Sequence, residues 1–565
     1  MKRSSALQER SCLIPSNSHL TEHTPLLSQP PEAKGSPFCF PKIMEKIRNT
    51  KVSKFFDKIA VESEPGLTNA QLMLLNEDLK PVEPERRLWR SRNFVAFWIS
   101  DSFNINTWMI SSSNILDGLS WWQSWLCVWI GYSIAACFVC LTGRIGAKYH
   151  ISFPVVCRSS FGIWDGANNS MPSSSGTNTR DFVSFFLFWA GSLPFLWFPV
   201  QKIRHLFTAK AYFVPVAGIL FFIWAIVRAN GIGPIVHQGS TIGGSKLAWA
   251  IVKGIMSAIA NFATLIVNDP DFARFARRPR DALWAQLFTI PVGFAVTSFI
   301  GIIVSSSSTV IFKGDPIWSP LTLLEKFLNE PTASGATRFG VFVIAAAFTL
   351  AQLGTNIAAN SISAGTDMTA LLPRWINIRR GSYICAAVGL AMCPWNLLKD
   401  SNNFTTYLSA YSVFLSSIAG VMCCDYYCVR KGYLQTRDLY SALKNGPYYY
   451  HFGVSWRAYA AYIAGILINV VGFAGAVGTP VPVGATYVYN LNFFGGFGVA
   501  GIVYYLLCRI WPVPACSDSW MEVDEDATGR NNSMVYGVEP SDDEAQYGET
   551  VYGGKGAEIP KATAV

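Results

Sequence analysis

The sequence predicts an all-α polytopic membrane protein, and three observations carry that prediction. Hydrophobic residues fill 51% of the 565 positions. Charged residues fill only 14%, against about a quarter in soluble globular chains. The apolar residues also gather into blocks of about 20, the length a helix needs to cross a hydrocarbon core of about 30 Å. With a mean hydropathy of +0.27, the chain does not read as a large soluble enzyme. Its formal charge of +9 lies mostly in short clusters between the blocks, which argues against a nucleic-acid face. Thirteen cysteines at irregular spacing give neither a disulfide framework nor a zinc pattern. Cys423, Cys424 and Cys428 come nearest to a cluster and lack a histidine partner.

Residues 1–92 are polar and broken by prolines, with no apolar stretch near Met1, so the first spanning helix is expected to direct insertion. A membrane-spanning domain is expected over 93–511. An acidic tail, 512–565, follows, with Glu522, Asp524, Glu525, Asp526, Asp542, Asp543 and Glu544. Both tails read as disordered, because they hold too little apolar surface to offset chain entropy. Spans are expected at 93–113, 123–143, 182–200, 211–228, 246–268 and 283–305. Five more follow at 339–371, 382–398, 404–424, 459–477 and 493–511, about eleven helices in all.

Loop charge tests this count, since Lys and Arg favour the cytoplasmic side. Arg86, Arg87, Arg90 and Arg92 place the N-terminal tail inside. Arg144, Lys148 and Arg158 mark a first cytoplasmic loop, and Lys202, Arg204 and Lys210 a second. Arg274–Arg280, Arg374–Arg380 and Arg430–Arg437 mark three more, two helices apart. Both tails are cytoplasmic if the helix count is even. One step breaks parity: only 182–200 spans between the Arg158 and Lys202 loops. The stretch between them, Asp165 to Arg180, has loop chemistry. Either 151–164 is a short re-entrant piece or one helix is absent from this chain, and the second reading is preferred.

The first span contains Ser100, Asp101, Ser102, Asn104 and Asn106 at mid-membrane depth. Asn competes with the backbone for hydrogen bonds, so this run predicts a helix that unwinds at the midplane and frees polar groups for solute or ion. An ionisable Asp in such a place points to function. In the 339–371 span, Asn356, Asn360, Ser363 and Asp367 fall near one face on a 3.6-residue period. The amide of Asn360 offers donors and an acceptor, which suits a neutral cyclic amide. Gly354, Ala358 and Ala359 permit close helix packing. The 246–268 span ends in Asn268-Asp-Pro-Asp-Phe-Ala-Arg274, where Asp269, Asp271 and Arg274 suit a gate or a loop ion pair. Phe262 could stack on a flat ring. No nucleophile–base pair or metal cluster is visible in the sequence, so neither an enzyme nor a bound cofactor is expected.

Taken together, Asn76–Trp89, Phe97–Trp108 with Trp121-Trp122-Gln123, Asn268–Arg277 and Gly354–Asn360 resemble the nucleobase:cation symporter family 1, in its fungal branch of uracil, uridine and allantoin permeases. The resemblance covers roughly residues 76 to 515. It implies a LeuT-like five-plus-five inverted repeat, twelve helices in the family, with the first and sixth broken near the substrate. By position, Asn104, Phe262 and Asn360 would bind substrate. Phe103, Ala351, Gly354 and Thr355 match the positions that relatives use for sodium, with Gly354 in place of a serine. Fungal members look like proton symporters, so Asp101 and Asp367 become candidates for proton-linked steps. The implied coupling ion is H+, with Na+ the second choice. The resemblance implies a third helix after Trp164 that supplies a Trp and a Gln to the ring, and on the preferred reading this chain lacks it. That loss would remove roughly 2–4 kcal/mol of ligand contact.

The expectation is a plasma-membrane permease that imports uracil, uridine or allantoin with protons and is surrounded by membrane lipid. Lys2, Lys34, Lys42, Lys46, Lys51, Lys54 and Lys58, with Glu22-His-Thr-Pro-Leu-Leu27, offer a surface for ubiquitin ligase machinery. The rival is a non-transporting nutrient sensor, or an inactive splice or gene-model product that lacks helix three. An amino-acid permease of the same fold would need a carboxylate site where Asn104 and Asn106 supply amides.

Overall fold

Two interruptions in otherwise regular helices organise the molecule. The computed structural model describes residues 73, 78–161, 179–197, 200–232, 234–237, 239–391, 401–440, 444 and 446–522. The first span forms as two pieces, α1 (Ser91–Ser102) and α2 (Ile105–Leu116), separated by Phe103 and Asn104. After α3 (Trp121–Tyr149) comes α4 (Phe153–Ser160), then α5 (Thr179–Ser192) and α6 (Val200–Arg228). The next expected span is broken into α7 (Gly244–Asn261) and α8 (Ala263–Asn268), followed by the single turn α9 (Pro270–Ala273).

The remaining helices are α10 (Pro279–Phe312), α11 (Pro320–Leu328), α12 (Gly335–Thr355), α13 (Ser363–Leu371) and α14 (Ile378–Ala391). The chain then continues through α15 (Ser401–Cys423), α16 (Trp456–Ala476), α17 (Val483–Tyr489) and α18 (Asn492–Ile510). A π-helical turn, Asn356–Ile362, joins α12 to α13, and another, Cys424–Val429, extends α15. Seven helices among the described residues are long and apolar enough to cross a membrane.

The central helix α10 packs along α3, α1 and α2, and α7 lies against α3. Glycine permits the closest approaches: a Cβ on Gly131 of α3 would stand 2.6 Å from the Ala258 methyl of α7. The last helices form their own layer, with α18 packed against α15 and α16. A Cβ on Gly420 would meet the Phe497 carbonyl oxygen at 2.3 Å, so only glycine fits there.

Three expectations are revised. Packing begins before residue 92: Leu79 and Trp89 are buried, Val82 N donates to the His150 carbonyl at 2.9 Å, and Arg277 N donates to the Trp89 carbonyl at 2.8 Å. Enough apolar side chains lie among the prolines of this stretch to dock it on the helix ends. Packing also runs past residue 512, to Glu522. Finally, Lys210 does not close a loop. It sits ten residues inside the helix that begins at Val200 and is fully buried. Between α3 and α5, the eight residues of α4 rise about 12 Å, well short of a bilayer core. The rest of that stretch, 162–178, lies outside the described residues.

Candidate functional site

The interruption in the first span is built by one side chain. Asn104 adopts an extended backbone (φ −127°, ψ 163°), and its Oδ1 accepts a hydrogen bond from Thr107 N at 2.8 Å. Its Nδ2 donates to the Asp101 carbonyl at 2.5 Å. One amide therefore caps the helix that follows and holds the end of the helix that precedes, which is why Asn is so well suited to a break. In this conformation the Asn104 amide is engaged within the interruption through one of its two N–H donors and its oxygen. Ser102 packs against Gly293 of α10, where a Cβ would approach its Oγ to 2.7 Å.

The second interruption falls at Phe262, between α7 and α8, where the ring is completely buried. It stacks on Trp98 of α1 with centroids 5.6 Å apart and planes 22° apart. Tyr132 and Phe294 approach the same ring edge-on at 5.3 Å and 4.8 Å. The two interruptions thus meet through an aromatic pair. Trp98 Nε1 and Ser100 Oγ are buried beside it with no hydrogen-bond partner among the described residues, the sort of group that calls for an explanation in a packed interior.

A charged group lies next to the first break. Asp101 is 5% exposed and interacts with Lys210 of α6 and the Thr355 hydroxyl of α12. Lys210 Nζ donates to Thr355 Oγ1 at 2.6 Å. A Cβ on Gly354 would come within 2.8 Å of Lys210 Cδ, so the missing side chain at 354 makes room for the lysine stem. Phe103 and Ala351 are buried nearby in one cluster with Phe348. An ammonium therefore stands against Gly354 and Thr355, two of the four positions assigned by resemblance to sodium. Lys210 is the candidate site residue that the sequence did not single out. The available signal was its place inside the apolar run Leu206 to Val214, between Ala209 and Ala211.

Other expected residues lie apart from this group. The π-helical turn replaces the regular period over 356–362, so the stripe read at 3.6 residues per turn is split. Asn360 faces outward and donates to Asn356 Oδ1 at 2.9 Å, while Ser363 is buried. No hydrogen bond joins Asn104 to Asn360. Asp367, half-buried, lies twelve residues beyond Thr355 on the same rod, roughly 18 Å away by helical rise.

Asp269, Asp271 and Arg274 brace the turn after α8. Asp269 accepts two hydrogen bonds from Gln286 Nε2 at 2.8 and 2.9 Å. It fits only because α3 carries Gly143, whose Cβ would lie 1.8 Å from Asp269 Oδ2. Asp271 Oδ1 accepts from Phe153 N at 2.9 Å, and Arg274 Nη1 donates to the Asp78 carbonyl at 3.0 Å. Burial raises the Asp269 carboxyl to about 8, against the opposing pull of the Gln286 amide. Burial also raises the Asp271 carboxyl, against the nearby Arg274 guanidinium.

A helical membrane bundle with two interrupted helices in contact, and a buried lysine–carboxylate group beside one of them, is the architecture of a solute carrier. The chain matches the family model described as "permease for cytosine/purines, uracil, thiamine, allantoin" over residues 81–172 and 163–496, and it belongs to that family. The match comes in two pieces that overlap at 163–172, within the stretch where charge parity fails. The chain is 43% identical over 528 residues to a uracil permease of Saccharomyces cerevisiae, covering 84% of this chain and 83% of that one. It is 45% identical over 509 residues to an allantoin permease of the same organism, covering 81% and 80%. Its fold is similar to that of Mhp1, a nucleobase-cation-symport-1 family transporter solved in a closed conformation with bromovinylhydantoin bound. The TM-score is 0.58 at 18% identity, covering 79% of this chain and 98% of Mhp1. The fold, the permease class and the non-enzymatic character expected from the sequence therefore stand.

Proposed function

We propose that this permease imports a small uncharged heterocycle of the uracil, uridine or allantoin kind, driven by protons. The reading places it in the plasma membrane, with both tails cytoplasmic if the helix count is even. The names of the S. cerevisiae relatives support the substrate class. The observation that carries the mechanism is the Trp98–Phe262 stack, which joins the two helix breaks. Once Phe262 separates from Trp98, it would offer a face to a planar ring, and the unpartnered Trp98 Nε1 a donor. For Asn360 to hydrogen-bond the same ring, its amide would have to leave Asn356 and turn toward the stack. Asn104 acts by holding the break open, and Asp269, Asp271 and Arg274 brace the loop that moves with α8.

Lys210 supports protons over sodium. The Lys210 amine against Thr355 and Gly354 fills the place a sodium ion would take, so the residues present do not fit that ion. Protonation of Asp101 would weaken its attraction to Lys210 and free the first helix to move. Asp367, farther along the same helix, would act in a separate proton step. The sorting signal and lysines at 2–58 lie outside the described residues, and capture by ubiquitin ligases through them belongs to the same reading.

Uptake of radiolabelled uracil, uridine and allantoin in a permease-null yeast tests the proposal, at acidic and neutral pH, with and without sodium. Saturable uptake of one of them, faster in acid and indifferent to sodium, is the expected result. A second reading, a sensor that binds without transporting, is favoured by the shortness of α4 and the two-piece family match. Ligand-induced internalisation with no uptake, from a protein seen at the cell surface, would replace the first reading with the second.

A further inference from the structure

A cleft of about 800 Å³ opens where the segment before α1 meets α6, within the range of volumes that hold specific ligands. Four arginines line it, Arg87, Arg90, Arg92 and Arg277, against one carboxylate, Glu85. Arg90, Arg92 and Arg277 are exposed, and among the described residues none of them pairs with a carboxylate. The cleft is therefore strongly cationic, and its guanidinium forks suit phosphate oxygens in paired hydrogen bonds. The arrangement is held by backbone: Trp89 N donates to the Phe275 carbonyl at 3.0 Å, and Arg277 N to the Trp89 carbonyl at 2.8 Å. Asn93 Oδ1 accepts from Arg90 N at 3.1 Å at the start of α1.

The opposite wall decides the class of ligand. His205, Thr208 and Tyr212 of α6 line the cleft. They lie at three- and four-residue steps, so they share one helix face. The same face continues through Val216, Leu220 and Ile223, which are exposed at 58%, 53% and 51%. A cationic cleft thus runs without interruption into an apolar stripe on a membrane helix. That is the profile of a molecule with a phosphorylated head and hydrocarbon tails.

We propose that this cleft binds the headgroup of an anionic phospholipid, with phosphates on Arg90, Arg92 and Arg277 and acyl chains laid along the α6 stripe. Basic pockets at the ends of membrane helices are suited to such lipids. A bound lipid would tie the N-terminal segment, the first broken helix and the Phe275–Arg277 turn to α6. Nothing in this assignment depends on which solute the permease carries.

The test uses the purified full-length protein in neutral detergent. Short-chain phosphatidylinositol 4-phosphate is titrated and thermal stability is followed. Phosphatidylcholine of the same chain length and soluble inositol bisphosphate are run beside it. A rise in Tm is expected with the phosphoinositide, none with phosphatidylcholine, and at least tenfold weaker binding of the soluble headgroup. Combining Arg90→Gln, Arg92→Gln and Arg277→Gln should weaken lipid binding at least tenfold and leave the lipid-free Tm unchanged, since all three side chains are exposed. The three Lys substitutions should recover part of the binding, and Arg277→Gln alone serves if the triple variant is poorly folded. Equal binding of the soluble headgroup would turn the cleft into a free-anion site and overturn the proposal, as would full lipid binding by the Gln variants. A peptide of residues 523–550 that displaces the lipid and binds the wild-type protein but not the Gln variants would assign the cleft to the acidic tail instead.

Discussion

Lys210 is the residue on which the coupling argument turns. A lysine with 0% exposure in a membrane helix persists only where nearby groups offset its desolvation. Here Asp101 and Thr355 do so, with Gly354 supplying the space. Removing one partner of a buried charge pair typically costs about 3–5 kcal/mol, because the other is left uncompensated. Lys210→Met and Asp101→Asn are each expected to lower thermal stability by that order and to reduce uptake at least tenfold. The double variant should be more stable than the sum of the singles implies, because neither member is left charged and alone. A double-mutant cycle on detergent-solubilised protein measures that coupling. Additive losses would show that the two side chains do not act as a pair.

At the scale of elements, the two breaks have different causes. Asn104 makes the first from its own amide. The second comes from packing, because Phe262 joins the aromatic cluster of Trp98, Tyr132 and Phe294. The turn that follows depends on a contact between elements. Gly143→Ala would drive a methyl into the Asp269 carboxylate, which Gln286 holds in place, so a severe loss of surface protein is expected. Overpacking of this kind costs typically 1–3 kcal/mol or more. Asp269→Asn should be tolerated, since burial already raises that carboxyl to about 8 and an amide oxygen can still accept from Gln286. Adding Asp269→Ala to Gly143→Ala should restore part of the surface level. Surface levels of fluorescently tagged variants decide this, and a Gly143→Ala protein at wild-type level would refute the close approach.

For the whole molecule, the described segment after α18, as far as Glu522, is a working part of the fold. Arg430 is fully buried. Its Nε donates to Asp425 Oδ2 at 2.8 Å, its Nη1 to the Pro514 and Ala515 carbonyls at 3.0 and 2.9 Å, and its Nη2 to Ser159 O at 2.9 Å. It thereby ties α4, the end of α15 and the segment after α18 together. Farther out, Arg144 of α3 holds Glu522 through two bonds of 2.9 and 3.0 Å, and Trp520 stacks on Tyr427. Burial separates the two ion pairs in strength. Arg430→Met should cost about 3–5 kcal/mol. Glu522→Gln should cost no more than about 1 kcal/mol, because the Arg144 partner is one-third exposed. Thermal unfolding in detergent ranks them, and equal losses would mean that the outer clasp carries more of the fold than its exposure implies.

Much of the architecture was readable along the chain, because membrane insertion sums local quantities. Apolar length marks a span, loop arginines orient it, and a run of Ser, Asp and Asn announces a helix that will not stay regular. The break at Asn104 and the excess of arginine around 274–280 follow from residues within a few positions of each other. Other features depend on partners distant in sequence. Lys210 looked like the end of a loop because its partner Thr355 is 145 positions away. The prolines before residue 92 hid a segment that buries Leu79 and Trp89 against helix ends. The π-helical turn at 356–362 redirected Asn360 and Ser363 in a way that no 3.6-residue pattern could show. By itself, the sequence determined that this is a helical membrane carrier with a polar interruption in its first span. Only the tertiary structure decided which polar groups are spent on the fold and which remain for solute, proton or lipid, because desolvation and pairing are properties of packed neighbours rather than of any one stretch of chain.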